Sequence, residues 1–295
     1  MSLYSYQIFE TVVQQGSFAK AADLLYLTPS AISHIISKME TDLGVQLFVR
    51  GKTGVRLTAN GEQIYPYIEE VLRSSEKLSQ KVAQIHGLES GVVRIGTFNS
   101  VTVQWLPPII HAYHKAHPNI EISVQQGGYE DVITWLNNDA VDLGFTSETV
   151  LNDLKLKNAE VTPLYQDRMV CVVPTDFQPK HPDYVNVEDI KDYPLVMQKE
   201  AYDQESVRIL NKYHLTTRSL FRIAEDDGII AMVSAGFGVY IMPELVVKGC
   251  RGEFKYFPFY PEEHRTICLA VSKANISAPA VIAMRQQILD FVQQY

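Results

Sequence analysis

The sequence predicts an α/β protein: an N-terminal winged helix-turn-helix, a long linking helix, and two α/β lobes beyond it. Three observations predict this. Two short amphipathic helices and a hairpin follow one another between Ser17 and Leu57. Apolar residues then recur in steps of four and three from Ile64 to Ile85. From Val92 onward, strand-like and helix-like runs alternate with short links. At 295 residues the chain has room for about two domains.

The first helix of the motif opens at Ser17, a residue suited to accept a backbone N–H at the N-cap. Phe18, Ala21, Ala22 and Leu25 form its apolar stripe, and the small alanines let a second helix cross closely. Thr28 followed by Pro29 marks the second start, a capping hydroxyl and then a proline where a missing N–H costs nothing. On that helix Ile32, Ile36 and Met39 point one way, and Gly44 closes the region. Ser30, Ser33, His34, Ser37 and Lys38 fall on another face, as small polar donors with one cation that suit phosphates and base edges. From Leu47 to Leu57, Val55 and Leu57 alternate with Arg56 as in a half-buried hairpin. Its tip, Arg50-Gly51-Lys52-Thr53-Gly54, has the glycines and cations of a wing on a sugar-phosphate backbone. Ser17, Thr28, Ser30, Ser33, His34, Ser37, Lys38, Arg50, Lys52 and Thr53 are therefore the expected DNA contacts. Residues 1–58 hold five Lys+Arg against four Asp+Glu, so the positive field is local and two or more such domains are needed at once.

Thr58 caps a helix running to about Ile85. Ile64, Ile68, Val71, Ser75, Leu78, Val82 and Ile85 step by 4, 3, 4, 3, 4, 3, an a/d seam over three heptads with one polar member. Charged neighbours such as Glu69, Glu70, Arg73, Glu76, Lys77 and Lys81 keep the outside wet. The pattern predicts a two-chain pairing helix over 59–87, with Ile64, Ile68, Val71, Leu78, Val82 and Ile85 at the seam.

After His86-Gly87, a predicted hinge, the sequence implies strands at Val92–Gly96, Ile120–Gln125 and Asp142–Thr146, separated by helices at Val103–Ala116 and Tyr129–Asn137. A strand at Tyr165–Val173 begins a second set, Ile267–Ser272 returns, and a helix over Val281–Gln294 closes the chain. Such alternation predicts a mostly parallel sheet covered on both sides. The two lobes are expected at 91–163 plus 267–295 and at 164–266, within an effector-binding domain over 88–295. Residues 87–295 hold 18 cations and 26 anions and so carry the whole net charge of −8, which argues against DNA contact there.

The order PSAISHIISKMETDLG, LFVR, wing, LTANG and long helix resembles the LysR-type transcriptional regulators. The run VVRIGTFNSV and the run WLPPIIHAYHKAHPNIEISV resemble that family's effector-binding half, so the likeness covers essentially the whole chain. The resemblance implies a homodimer or homotetramer that binds inverted-repeat double-stranded DNA, responds to a small effector and meets RNA polymerase at promoters. It also implies a two-lobed, type 2 periplasmic-binding-protein-like domain with its ligand in the cleft. In such sheets the cleft lies beyond the carboxyl ends of the strands. The expected effector contacts are Ser100, Val101, Thr102, Tyr129, Thr146, Gln198, Tyr202 and Glu225, Ser100 and Thr102 matching the family's common contact positions best. The free N–H groups before the first helix favour an anion. Lys199 can pair an anion and Glu225 an amine, and the sequence does not choose between them.

Other classes are excluded on chemistry. There is no GxSxG, glycine-rich phosphate loop or HExxH, so the chain is not expected to be an enzyme or to carry a cofactor. His111, His114 and His117 spread around a helix and do not converge on one metal ion. Cys171, Cys250 and Cys268 are odd in number and unpaired in spacing, as in a reducing cytoplasm. No run approaches the roughly 18 apolar residues that span a membrane, and no basic stretch with an apolar core marks a secretory signal.

Overall fold

In the computed structural model, which describes residues 2–51, 54–85, 91–153, 156–199, 204–215 and 221–295, the N-terminal motif begins one helix earlier than the spacing marks. Helix α1 (Leu3–Gln15) precedes it, capped reciprocally by Ser2 and Ser5. Then come α2 (Phe18–Leu24), α3 (Pro29–Leu43), the hairpin β1 (Phe48–Gly51) and β2 (Gly54–Leu57), and α4 (Ala59–Ile85). The punctuation is as the residue types dictate. Ser17 Oγ accepts from Lys20 N at 3.4 Å and Thr28 Oγ1 from Ala31 N at 3.2 Å, each capping the helix that follows it. Gly44 ends α3 with a φ of 70°.

One apolar cluster holds this unit together. Ile8, Phe9 and Val12 of α1 meet Ala21 and Ala22 of α2, and Ile32, Ile36 and Met39 of α3 close on them with Leu47 and Phe48. Phe9 and Phe48 meet as a tilted pair, with ring centres 5.1 Å apart and their planes at 47°. Glu40 Oε1 accepts from the backbone N–H of Leu47 at 2.8 Å and of Phe48 at 3.1 Å, which ties the end of α3 to the start of the wing. Position 61 has to be glycine, since a Cβ there would lie 2.3 Å from the Leu47 carbonyl oxygen.

The seam expected on α4 is not uniform. Ile68 is 4% exposed and Ile64 half-buried, both packed into the cluster beneath α1–α3. Val71, Leu78, Val82 and Ile85 are exposed, Leu78 to 66%. The first turns of the repeat thus serve the domain's own core, and only the later ones present an uncovered stripe. The reason is that a 3.6-residue period for a core face and a 3.5-residue period for a partner's face cannot be told apart over so few turns. The expected hinge at His86-Gly87 lies outside the described residues.

The chain divides into two units, Met1–Leu88 and Glu89–Tyr295. The second contains β3 (Gly91–Thr97), α5 (Asn99–Gln104), α6 (Leu106–Ala116), β4 (Ile120–Gln126), α7 (Tyr129–Asn137), β5 (Leu143–Ser147), α8 (Glu148–Asp153), β6 (Ala159–Pro174), β7 (Val185–Asn186) and α9 (Val187–Ile190). It continues with β8 (Met197–Gln198), α10 (Gln204–Lys212), β9 (Arg222–Ile223), α11 (Asp226–Ser234), β10 (Tyr240–Pro243), α12 (Glu244–Val247), β11 (Phe254–Tyr260), β12 (His264–Ser272) and α13 (Pro279–Gln294). The helix expected over Val103–Ala116 is broken at Trp105, where Pro107 and Pro108 require a new start.

The sheet is mixed rather than mostly parallel. Its order is β4-β3-β5-β12-β6-β11-β7, with β10 also on β6. β3 pairs parallel with β4 and β5, whereas β12 runs antiparallel to β5 and β6. The cause is the return of the chain: a strand coming back from the second lobe must run against those that led out. The lobe limits expected at 163/164 and 266/267 fall inside β6 and β12, not in loops. Ala159–Arg168 of β6 pairs with β12, and the continuation to Pro174 pairs with β10 and β11. One strand pair therefore threads both lobes.

Each lobe keeps its own core. In the first, Trp105, Phe145, Ile267, Leu269 and Met284 pack between sheet and helices. In the second, Met169, Cys171 and Val173 face one cluster and Val170 and Val172 the other. That segment is buried on both faces, hence its unbroken apolar run. Among the described residues no helix is long and apolar enough to cross a membrane.

Candidate functional site

Two sites emerge, one in each unit. In the first unit, Ile32, Ile36 and Met39 anchor α3 in the core, which turns the opposite face outward. Ser30, His34, Ser37 and Lys38 on that face are exposed, and Ser33 is half-buried beside them. Ser17 and Thr28 stand at the helix N-caps. Thr28 Oγ1 also lies 3.0 Å from Ser30 Oγ, so hydroxyls cluster at the start of α3. The backbone of Arg50 belongs to β1. Lys52 and Thr53 lie outside the described residues. A helix face of small donors and one lysine, beside N–H-rich helix starts, can meet phosphates and base edges.

In the second unit a cavity of about 210 Å³ opens between the lobes. The first lobe supplies Phe98, Asn99, Ser100, Gln126, Gly127, Gly128 and Tyr129. The second supplies Gln198, Glu205, Ser206, Glu225, Asp226, Tyr240, Met242 and Val246, and Arg265 stands where β12 passes from one to the other.

Arg265 organises the site. Its side chain is 3% exposed. Its Nε donates to Asp167 Oδ2 at 2.9 Å, its Nη1 to the Tyr129 hydroxyl at 2.8 Å and its Nη2 to Ser100 Oγ at 2.7 Å. The guanidinium also lies 5.1 Å from the ring centre of Phe98. Asp167 is equally buried, its other oxygen accepting from Leu245 N at 3.0 Å. The two charges sit on the two strands that thread both lobes, so the pair fixes the crossing point. Burial pushes the Tyr129 phenol up to about 12, even against the pull of Arg265, so it is neutral and keeps its proton to donate.

The second-lobe wall carries polar groups that bond to one another. Ser206 Oγ donates to the Ile241 carbonyl at 2.6 Å and sits 3.1 Å from the Tyr240 hydroxyl. Gln198 Nε2 donates to the Ala224 carbonyl and to Asp226 Oδ1, both at 3.1 Å. Contacts also cross between the lobes. Asn99 Nδ2 donates to Asp226 Oδ2 at 2.6 Å, and Ser147 and Thr149 donate to the buried Glu205.

Of the residues expected from sequence, Ser100, Tyr129, Gln198 and Glu225 line this cavity together. Val101 and Thr146 are fully buried, Val101 within the first-lobe core, and neither lines the cavity. Thr102 does not line it either: its hydroxyl donates to the Phe98 carbonyl at 3.0 Å and lies 3.3 Å from Thr97 Oγ1. Tyr202 lies outside the described residues. Sequence reasoning missed Arg265, Asp167, Glu205 and Tyr240. A signal for two of them existed: charged residues, Asp167 and Arg265 among them, stand at the edge of an apolar strand in YQDRMVCVV and in EEHRTICLAV.

Comparisons with known proteins agree with this geometry. Residues 3–62 match the family model of a bacterial regulatory helix-turn-helix protein, lysR family, and residues 86–293 match the LysR substrate binding domain. The chain is similar to YvbU, an HTH-type transcriptional regulator of Bacillus subtilis, at 26% identity over 294 residues, 98% of this chain and 99% of that protein. It is similar to the HTH-type transcriptional regulator BenM of Acinetobacter baylyi at 27% identity, over 82% of this chain and 80% of BenM. Among solved structures, full-length CbnR complexed with its target DNA aligns with a TM-score of 0.71 at 16% identity, over 98% of this chain and 99% of that one. A full-length OxyR variant from Pseudomonas aeruginosa aligns at 0.72 and 21% identity, over 98% of both chains; these two likenesses are of fold.

Proposed function

The chain belongs to the LysR family of bacterial helix-turn-helix regulators and is a DNA-binding transcriptional regulator with an effector-binding domain, and from that premise we propose that a small molecule bound between the two C-terminal lobes switches its action on a specific operator. The observation that carries this reading is the cavity itself, lined from both lobes around the buried Arg265. A ligand there can bias the lobes only through unequal affinity for their poses, and coupling of about 1–3 kcal/mol is usual.

In this reading residues 1–58 bind DNA, 59–87 pair two chains and 88–295 sense the effector. Ser30, Ser33, His34, Ser37 and Lys38 enter the major groove, Ser17 and Thr28 hold phosphates at the helix starts, and Arg50, Lys52 and Thr53 rest on the backbone. Pairing uses the exposed stripe Val71, Leu78, Val82 and Ile85. Two DNA-binding units then meet the two halves of an inverted repeat, with RNA polymerase as neighbour on the same promoter and the cytoplasm as the place of action. The protein is a regulator without catalysis of its own. Burial pushes the Cys268 thiol up to about 11 and the Cys250 thiol up to about 12, which keeps them poorly nucleophilic and favours a bound effector over a thiol switch.

The test begins with operators selected from a random DNA pool by the purified protein. Arg50→Ala should weaken all sequences alike and lower the salt dependence by roughly one phosphate contact per subunit. His34→Ala should instead change preference among operators. Uniform loss with His34→Ala would remove that residue from base reading.

A further inference from the structure

The charges around the cavity do not balance. Among the described residues, three carboxylates line it, those of Glu205, Glu225 and Asp226, against one guanidinium, Arg265. That guanidinium is already engaged inside the protein, with Asp167, Tyr129 and Ser100 around its edge and Phe98 against its face. Glu205 is partly matched, by the Ser147 and Thr149 hydroxyls and by Arg208 Nε at 3.5 Å, although Arg208 also binds Glu263 at 3.0 Å.

Asp226 is different. Both of its donors are neutral amides, Asn99 Nδ2 at 2.6 Å and Gln198 Nε2 at 3.1 Å. Burial raises its carboxyl above the ordinary range, against the pull of Asn99, Arg265 and Gln198. Beside it, Glu225 is exposed and adds a second negative charge. A desolvated carboxylate held by neutral amides gains from a cation brought to it. The lining also includes the apolar side chains of Met242, Pro243 and Val246. Lys199, the anion partner that the sequence offers, is not among the lining residues. Ser100, at the loop whose free N–H groups favour an anion, already accepts from Arg265.

Taking the cleft as the effector site, we propose that its ligand is a small amine, with the ammonium against Asp226 and Glu225 and the apolar body against Met242, Pro243 and Val246. The cavity of about 210 Å³ is below the roughly 300–1,000 Å³ of drug-sized sites, so the ligand has few carbons.

Thermal unfolding of the full chain, followed by tryptophan fluorescence, tests this. The probes are butylamine, 1,4-diaminobutane and phenethylamine at millimolar concentration, against butyrate, succinate and phenylacetate at matched ionic strength. The amines should raise Tm and the carboxylates should not. Asp226→Asn should weaken amine binding by roughly tenfold to a hundredfold, read as a smaller amine-induced rise above that variant's own ligand-free Tm. Ala224→Trp, at an exposed lining position, should block the same stabilisation. Stabilisation by a carboxylate, lost in Ala224→Trp, would keep the cleft as the effector site and overturn the amine. Stabilisation by amines that survives both variants would place binding elsewhere and overturn both. No shift with any amine also overturns the assignment of ligand class.

Discussion

Arg265→Met removes the guanidinium that joins the lobes and leaves Asp167 buried, with the Leu245 N–H as its remaining hydrogen bond. Both side chains are almost wholly excluded from water, at 3% and 2% exposure. Breaking such a pair from one side costs about 3–5 kcal/mol, because the surviving charge is uncompensated. For a unit of this size each kcal/mol moves Tm by roughly 2–4 °C, so the loss should be on the order of 10 °C. The assay is direct, since both tryptophans of the chain, Trp105 and Trp135, lie in the C-terminal unit and report its unfolding alone. Adding Asp167→Leu should recover part of the loss, because no unpaired charge then remains, and the cycle should show a coupling well above the roughly 0.3–0.5 kcal/mol scatter of independent sites. A fall of less than about 2 °C in the single variant, or strict additivity in the cycle, would refute the view that this pair holds the crossing.

Three further outcomes follow from the same contacts. Leu78→Lys, at an exposed seam position, should lower the oligomer size in sedimentation and weaken operator binding; unchanged size and affinity would remove α4 from pairing. Glu40→Ala strands the N–H groups of Leu47 and Phe48 and should destabilise the DNA-binding unit by about 1–3 kcal/mol, read by circular dichroism of a 1–88 fragment once that fragment is shown to fold. Glu263 lies under hydrogen bonds from Lys212, Tyr213 and Arg208; burial pushes its carboxyl up, and these donors outweigh burial and hold it below the ordinary value. Its contribution is therefore present above the ordinary carboxylate range and lost as pH falls through the lower folded value, so acid should lower the Tm of the C-terminal unit, and Glu263→Gln should flatten that fall.

How legible these features were depends on the range over which each signal acts. Ser17, Thr28-Pro29 and Gly44 act on backbone groups three or four residues away, and the caps and the helix end stand where those residues put them. The wing was legible for the same reason, since its two strands pair directly, Phe48 with Leu57 and Arg50 with Val55. Periodicity carried less. It marked Ile64 and Ile68 as apolar but could not say that they face their own domain. Hydroxyls carried least. Thr102 has the composition of a ligand contact, yet its hydroxyl is taken up by the turn before it. Arg265 could not be placed, because its partners Asp167, Tyr129 and Ser100 are 98, 136 and 165 residues away in sequence. Only the return of β12 beside β6 brings them together.

In the function proposed above, occupation of the cleft governs DNA binding. Its most direct measurement is fluorescence anisotropy of a selected operator, titrated with protein, with and without a ligand that raises Tm. The ligand should change operator affinity by roughly 5- to 150-fold, and Ala224→Trp should abolish the change while ligand-free affinity stays near that of the parent. A ligand response that persists undiminished in Ala224→Trp would contradict it.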